Sequence, residues 1–220
     1  MDPATRRPYR RESEETRRAD LLAATQALVA EGGSDAATVR AIAARAGVTP
    51  GLIRHYFQSK DDLTRAAYTS LMDGMTAIGA DALEGVGATP EERLAAFVSA
   101  SLRPPVLDVG AVVLWAAYMH KVRIDPNLLA AHEMAYVSYR NTLQSLIAAL
   151  HRNAPEPQLR AEAIACNGLI DGLWLEGSIL PHSFAANEVV TIALRSVGAI
   201  LGVDLLAHST LLLDPGKTLP

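Results

Sequence analysis

Apolar residues recur at intervals of three and four positions along most of the chain, whereas the strict alternation typical of β-strands does not recur. The first apolar stripe runs from Leu21 to Val29, and we expect Gly32 and Gly33 to end that helix. Because the same period of about 3.6 residues returns through nearly the whole sequence, we predict an all-α fold of about nine helices.

Two of the predicted helices span only about two turns each. Thr38 is expected to cap the first of them, and Gly47 to end it. Thr49 caps the second, whose first helical position is Pro50, where a missing N–H costs little. Helices shorter than about 12 residues are marginal in isolation. Both must therefore pack on the first helix and on the start of the fourth, which makes a small three-helix head.

The pattern that follows predicts longer helices. Ser59 opens a fourth helix that runs toward Leu83, and glycines 85 and 87 break it. Thr89 then begins a fifth helix with a cap and an acidic first turn. Further helices are expected at about 112–123, 126–152, 158–178 and 185–202, with a loosely held tail after them.

Charge is distributed unevenly along the chain. Residues 1–65 contain 11 Lys and Arg against 9 Asp and Glu, which leaves 9 against 15 for the rest, so a net +2 and a net −6 give the overall −4. Much of the positive charge lies before the first apolar stripe, on Arg6, Arg7, Arg10, Arg11, Arg17 and Arg18. This segment reads either as a mobile arm attracted to phosphate or as a solvated, disordered tail.

Composition excludes several classes of protein. No apolar segment is long enough to cross a bilayer, and the N-terminus has no apolar signal core, so we expect a soluble, cytoplasmic protein without a membrane partner. The single cysteine, Cys166, fits a reducing compartment and is expected in the core. The six histidines show no metal-ligand pairing, and we find no nucleophile elbow, P-loop or dinucleotide fingerprint. We therefore expect no metal, no cofactor and no catalytic residues. A helical enzyme or a protein-binding adaptor stays an alternative.

The two short helices, joined through Gly47 and Val48, match a helix-turn-helix whose second helix enters a DNA major groove. An ordinary helical hairpin is the alternative on geometry alone. The residue types favour DNA, because small and hydrogen-bonding side chains cluster on the second helix and cations flank it. The candidate DNA contacts are Thr38, Arg40, Thr49, Pro50, Gly51, Arg54, His55, Tyr56 and Lys60.

The segment TVRAIAARAGVTPGLIRHYFQSKDDL resembles the N-terminal domain of TetR-type (tetracycline-repressor family) transcriptional regulators. The positions that carry the resemblance are Thr38, Ala46, Gly47, Val48, Thr49, Gly51, Tyr56, Phe57 and Lys60. Arg54 departs from the pattern, since the commonest form has a tyrosine there. The phosphate contact usually made at that position becomes either a base contact or an arginine–phosphate pair. If Arg54 donates to guanine O6 and N7, the pair is worth about 1 to 3 kcal/mol of discrimination.

A second segment, GLIDGLWLEGSI from Gly168 to Ile179, resembles the betaine-operon (choline-responsive) repressor branch of the family. The resemblance implies a homodimer with its interface on the helices at 158–178 and 185–202. An apolar face on the last helix is consistent with that interface, and so are small residues that permit close approach; burial inside one subunit is the alternative. The apolar face comprises Val189, Val190, Ala193, Leu194, Val197, Ile200 and Leu201, and the small residues are Gly168, Gly172, Ala193 and Gly198.

The larger C-terminal region holds both tryptophans and most tyrosines, which suit either a small-molecule cavity or a plain helical core. Asp171 and Glu176 are sharper candidates, because an ionised carboxylate in an apolar helix is costly unless it is paired, solvated or facing a ligand. A carboxylate with tryptophan faces would hold a cationic effector. The candidate ligand contacts are Phe97, Trp115, Tyr118, Met119, Tyr139, Asn167, Asp171 and Trp174.

The resemblance implies a regulator that binds palindromic operator DNA as a dimer and is released by a small-molecule effector. Repression is the expected mode, and activation by the same fold is the alternative. We predict four segments: a basic flexible arm (1–13), a helix-turn-helix DNA-binding domain (14–65), a ligand-binding and dimerisation domain (66–204) and a C-terminal tail (205–220).

Overall fold

The computed structural model of the chain describes residues 14–83 and 89–209. Within these ranges the fold is all-α, as predicted, and its α-helices are α1 (Glu14–Ala36), α2 (Val39–Arg45), α3 (Pro50–Tyr56), α4 (Lys60–Asp81), α5 (Pro90–Ala100), α6 (Val109–Val122), α7 (Pro126–Ala149), α8 (Glu156–Ile179) and α9 (Glu188–Leu201). A single 3-10 turn, Pro181–Ser183, precedes α9. The predicted arm at 1–13, glycines 85 and 87, and residues 210–220 of the predicted tail lie outside the described ranges.

The predicted helix boundaries hold where local signals are strong. The Thr38 hydroxyl accepts a hydrogen bond from the Ala41 amide at 3.1 Å, and Thr89 forms a complete capping box with Glu92. The first helix does leave helical geometry at Gly32 and Gly33, although one more turn follows this kink.

Thr49 is the N-cap of α3, as predicted, and Pro50 is first in the helix. The Thr49 hydroxyl makes no capping hydrogen bond, and the Leu52 amide donates to the Thr49 backbone carbonyl at 3.0 Å. The Thr49 side chain is exposed.

The chain divides into two compact units, Met1–Ala67 and Tyr68–Pro220, with the boundary inside α4. In the first unit, α2 and α3 pack on a shared apolar core, as expected for helices that are too short to be stable in isolation. Its large buried apolar side chains include Leu21, Val29, Ile42, Ile53, Phe57 and Leu63. The Gln26 side-chain amide also donates to the Ala67 carbonyl at 2.8 Å, which ties α1 to α4.

The second unit is built around one apolar cluster contributed by α5 to α9. The apolar face of α9 belongs to this cluster: Val189, Val190, Ala193, Leu194, Val197 and Leu201 are all buried in their own subunit. The reading of this face as evidence for a dimer is therefore wrong, and the alternative of burial within one subunit holds for it. Ile200 alone of that set is well exposed, at 40%.

Two of the small residues proposed for close approach also face inward. Ala193 is fully buried, and a side-chain carbon at Gly198 would come within 2.5 Å of the Val203 carbonyl oxygen. Gly198 thus permits the turn after α9 to fold back. This turn buries Leu205 completely in the same cluster, so the tail predicted from residue 205 is packed, at least through Ser209.

A partly buried ion pair connects α8 with the segment before it and with the end of α9. The Arg152 guanidinium donates to both carboxylate oxygens of Glu162, at 3.1 and 2.6 Å, and to the Leu201 carbonyl at 3.1 Å. The pair lies mostly out of solvent, with side chains 19% and 12% exposed. The Arg152 hydrogen bond lowers the pKa of Glu162 below its usual range. Across the described ranges no helix combines the length and apolarity needed to span a bilayer.

Candidate functional site

The exposed face of α3 is the first candidate site. Ile53 is the buried residue of this helix, and Gly51, Arg54 and His55 lie on the opposite side and are exposed. An added side-chain carbon at Gly51 would meet only the Thr49 hydroxyl, at 3.9 Å. This face is therefore small near the start of the helix and carries hydrogen-bond donors farther along it.

The turn before α3 and the residue after it fix the orientation of this face. Gly47 has φ +64°, a left-handed conformation that L side chains rarely adopt, and it lets the chain reverse between α2 and α3. Phe57, directly after α3, is 3% exposed, and the Arg18 guanidinium lies 4.9 Å from its ring centroid. Helix α3 is thereby anchored on its inner side and free on its outer side.

The predicted DNA contacts lie mainly on the surface of this unit. Thr38, Arg40, Thr49, Pro50, Gly51, Arg54 and His55 are exposed, while Tyr56 and Lys60 are half-buried. The Lys60 ammonium, at the start of α4, donates to the Ser34 carbonyl at 3.4 Å. His55 Nε2 lies 3.9 Å from a Glu14 carboxylate oxygen. The Arg45 side chain is held by Glu31 through two hydrogen bonds of 2.8 and 2.6 Å.

A cavity of about 460 Å³ lies in the second unit and is the other candidate site. Five of the eight predicted ligand contacts line it: Trp115, Tyr139, Asn167, Asp171 and Trp174. Helices α4, α6, α7 and α8 all contribute to its wall, together with Ser101 and Val106 from the segment between α5 and α6. Its volume suits a small organic molecule.

Two indole rings lie in the aromatic part of the wall, beside Tyr136 and Tyr139. Trp115 and Trp174 pack edge to face, with ring centroids 5.8 Å apart and planes at 84°. The Trp174 Nε1 donates to the Val106 carbonyl at 2.8 Å, which fixes this ring. Because that N–H is already satisfied, the Trp174 ring offers its π surface to the cavity rather than a donor.

Asp171 supplies the negative charge of the cavity. Its neighbour one helical turn back, Asn167, donates an amide hydrogen to the carboxylate at 2.8 Å. Surrounding protein raises the pKa of Asp171, and the Asn167 hydrogen bond lowers it by less. Among the described residues that line the cavity there is no lysine or arginine. The carboxylate thus faces aromatic rings and neutral polar groups.

Three predicted ligand contacts fall outside the cavity wall. Phe97 is 1% exposed and packs on the Tyr139 ring at 4.9 Å, so it lies behind a lining residue. Tyr118 is fully buried against the Tyr68 ring, at 5.1 Å, and burial raises its pKa to about 12. Met119 is half-buried and does not line the cavity. Glu176 is exposed and does not line it either.

Sequence reasoning missed several cavity residues. Met72, Met75 and Thr76 line the cavity from α4, and their spacing of three and four is a signal that the sequence contains. His132 and Tyr136 line it from α7. His132 was considered only as a metal ligand, and its place in the cavity wall was not predicted. Its Nδ1 lies 2.8 Å from the Tyr68 hydroxyl oxygen. Burial lowers the pKa of His132, which favours the neutral imidazole.

Comparison with known proteins connects these two sites. Residues 21–67 match the family model of bacterial regulatory proteins of the tetR family, and residues 90–202 match that of the BetI-type transcriptional repressor C-terminal domain. The HTH-type transcriptional regulator BetI of Pectobacterium atrosepticum is 32% identical over 80% of this chain and 89% of its own. The chain belongs to the TetR family of transcriptional regulators. Within that family it matches the BetI type.

Solved structures agree with this membership. A transcriptional regulator from Pseudomonas aeruginosa PAO1 is 29% identical, with a TM-score of 0.79 over 90% of this chain and 96% of its own. A regulator from Saccharomonospora viridis, solved in complex with choline, shares the fold at 19% identity, with a TM-score of 0.67 over 86% of this chain and 97% of its own. TetR-family regulators bind operator DNA as dimers and respond to small-molecule effectors. The chain is accordingly a DNA-binding regulator and not an enzyme, and ligand-responsive repression is typical of its family.

Proposed function

We propose that the effector of this regulator is a small organic cation, of the quaternary ammonium class, held in the 460 Å³ cavity. One observation carries the proposal: Asp171 faces the cavity with a neutral amide as its hydrogen-bond partner, and two indole rings lie in the same wall. A quaternary ammonium has no N–H to donate, so a carboxylate and aromatic faces are the groups that recognise it.

Electrostatics favours a cation over a neutral or anionic effector. Protein around Asp171 disfavours its ionised form, and a bound positive charge would restore that form. An anionic effector would meet the carboxylate without any lining lysine or arginine to offset the repulsion. The choline bound by the Saccharomonospora viridis regulator shows that this fold can hold such a cation in another protein.

Helix α4 offers a route from the effector to the DNA. It begins at Lys60, one of the candidate phosphate contacts, and carries Met72, Met75 and Thr76 of the cavity wall. In a dimer the two recognition helices must lie about 34 to 36 Å apart to enter successive major grooves. An effector that shifts α4 would change this spacing. The effector must bind the DNA-released conformation better, and operator DNA must reciprocally weaken effector binding.

On the DNA side, we assign α3 to the major groove with Gly51 close to the backbone or bases. Arg54 and His55 are exposed on the outer face of α3, so both can reach base edges. Arg54 is assigned to a base rather than to a phosphate, because it lies on the exposed face beside Gly51. Lys60 and Arg40 flank the helix and are assigned to phosphates.

For the dimer, an exposed apolar stripe on α8 replaces the buried face of α9 as the proposed interface. This stripe, the α8 stripe, comprises Ile164, Gly168, Leu175 and Ile179, which recur at intervals of four, seven and four residues and so share one side of the helix. The three apolar side chains are 41%, 37% and 55% exposed, and a side-chain carbon at Gly168 would meet nothing within 4 Å. Exposed apolar residues with a small residue between them suit helix-to-helix contact with a second copy.

A binding experiment tests the effector class. Choline and its neutral isostere 3,3-dimethylbutan-1-ol are titrated against the fluorescence of the two tryptophans, both of which line the cavity. We expect choline to bind and the alcohol, which has the same shape without the charge, to bind at least about tenfold more weakly. Equal affinity for the two compounds, or binding of the alcohol alone, would contradict the proposal.

A further inference from the structure

The cavity and the α8 stripe share part of the same helix. Asn167, Ile170 and Trp174 line the cavity from the buried side of α8, with exposures of 4%, 2% and 7%. Asp171, Gly172 and Leu175 line it as well, yet all three are exposed. Successive residues of a helix are 100° apart, so these three lie on the outward flank of α8, next to or within the α8 stripe.

The exposed lining residues of the cavity are these three on α8 and Tyr136 on α7, so we place the opening of the cavity among them. A side-chain carbon added at Gly172 would meet no atom within 4 Å, so no described part of the same subunit covers α8 at this point. Leu175 belongs both to the cavity wall and to the α8 stripe, and it is 37% exposed. The open side of the cavity therefore faces the surface assigned to the second copy.

We propose that the cavity is incomplete in one subunit and that α8 of a second copy closes it over Asp171, Gly172 and Leu175. This inference rests on the proposed dimer through the α8 stripe. The physical gain is the exclusion of water: a carboxylate and a cation attract each other weakly in an open, hydrated site and much more strongly once solvent is removed. Closure by the partner would thus complete the cation site.

Coupling between effector and assembly follows from this arrangement. A ligand that binds the closed dimer better than the open monomer stabilises the dimer by the same factor. The two subunits of one dimer would also share a boundary between their cavities, since the same stretch of α8 faces its counterpart across a twofold axis. Ligand binding in one cavity would then change the affinity of the other cavity for the ligand.

Accessibility of the cavity tests the inference without any effector. The only two tryptophans of the chain line the cavity, so quenching of their fluorescence by acrylamide reports on solvent access to it. The variants are Ile179→Arg and Ile164→Arg, which place a charge on the α8 stripe outside the cavity wall. The matched control is Ile124→Arg, since Ile124 is 70% exposed and belongs to the connection between α6 and α7, not to α8. Sedimentation gives the oligomeric state, and circular dichroism checks that each variant is folded.

We expect dimers for the wild type and Ile124→Arg, monomers for the two α8 variants, and a quenching constant that rises about twofold or more in the monomers, because interface cores exclude solvent. Dilution of the wild type through its dissociation range should raise quenching in the same way, which covers the case of a variant that does not fold. Equal quenching in dimer and monomer would overturn the inference and leave the proposed dimer standing. A wild type that is monomeric throughout, or α8 variants that remain dimeric, would overturn the proposed interface and this inference with it.

Discussion

The two units of this chain place their functional groups in opposite environments. In the first unit the candidate residues are on the surface: Arg40, Arg54 and His55 are exposed. In the second unit they line a cavity, where Trp174 is 7% exposed and the pKa of Asp171 is raised by the surrounding protein. One unit offers hydrogen-bond donors on its surface, and the other places a single carboxylate in the wall of a cavity.

Sequence order predicts the geometry of the first site much better than that of the second. Contacts on α3 come from seven consecutive residues, so their geometry follows once the helix is recognised. Contacts in the cavity come from four helices and a connecting segment, so they become neighbours only through packing. Two carboxylates on α8 sharpen the point: Glu162 is paired with Arg152 and its pKa is lowered, whereas Asp171 has a neutral partner and its pKa is raised.

Asp171→Asn should weaken choline binding by about a hundredfold, because Asp171 is the carboxylate among the described residues that line the cavity, and charge-assisted contacts are stronger than those of a neutral amide. Isothermal titration calorimetry measures the change. Affinity for operator DNA in the absence of effector should stay at the wild-type value. Glu176→Gln is the matched control, since Glu176 is an exposed carboxylate on the same helix outside the cavity; a comparable loss in this control would argue against a local role for Asp171.

Glu162→Gln should lower the free energy of unfolding by about 2 kcal/mol at neutral pH, because charged hydrogen bonds from Arg152 are lost. The folded-state pKa of Glu162 lies below its usual 4.5, so the pair stabilises the fold above that pH and loses its contribution as the pH falls through the lowered pKa. Urea denaturation at several pH values should show the wild type and the variant converging in acid. A difference independent of pH would contradict the assigned pair.

Asp171→Asn should have the opposite effect on stability, and this contrast separates the two carboxylates. Because the folded-state pKa of Asp171 is raised above 3.8, ionisation disfavours the fold at neutral pH, and the amide removes that penalty. We expect an unfolding midpoint equal to or above that of the wild type without effector. A clear loss of stability at neutral pH would show that the Asp171 charge supports the fold instead of serving a ligand.

Arg54→Ala should relax the preference at one operator base pair by about tenfold, since a bidentate guanine contact contributes about 1 to 3 kcal/mol of discrimination. Binding of single-base operator variants, measured by fluorescence anisotropy, gives the pattern. Lys60→Ala is the comparison and should weaken binding to all sequences uniformly and by a smaller factor, with a shallower salt dependence. Equal losses for Arg54→Ala on every operator variant would make Arg54 a phosphate contact.

Much of the fold could be predicted from sequence because its signals are local. Neighbouring residues predict the helix caps at Thr38 and Thr89 and the turn at Gly47, and the structure has all three. Thr49 is likewise the N-cap of α3, as its place before Pro50 indicates. The apolar face of α9 misled, because a buried face and an interface face have the same composition.

The cavity could be predicted only in part. Five of its residues were predicted, because aromatic and polar side chains in an otherwise apolar region are typical of a ligand cavity. Phe97 and Tyr118 are aromatic as well, but both are buried in the core. Residue type alone does not tell whether a side chain faces the core or the cavity. From sequence, the methionines of α4 are indistinguishable from core residues; only the packed structure shows that they border a cavity. Their role depends on tertiary packing, which the sequence does not display.

The most direct test of the account is release of operator DNA by a cation, with the DNA upstream of the chain's own gene as the operator source. Wild-type protein bound to that DNA is titrated with choline, and Asp171→Asn is titrated in parallel. We predict release of the wild type and retention of the variant over the same range, with equal DNA affinity before choline is added. Release of Asp171→Asn at the same choline concentration as the wild type would contradict a cation effector held at Asp171.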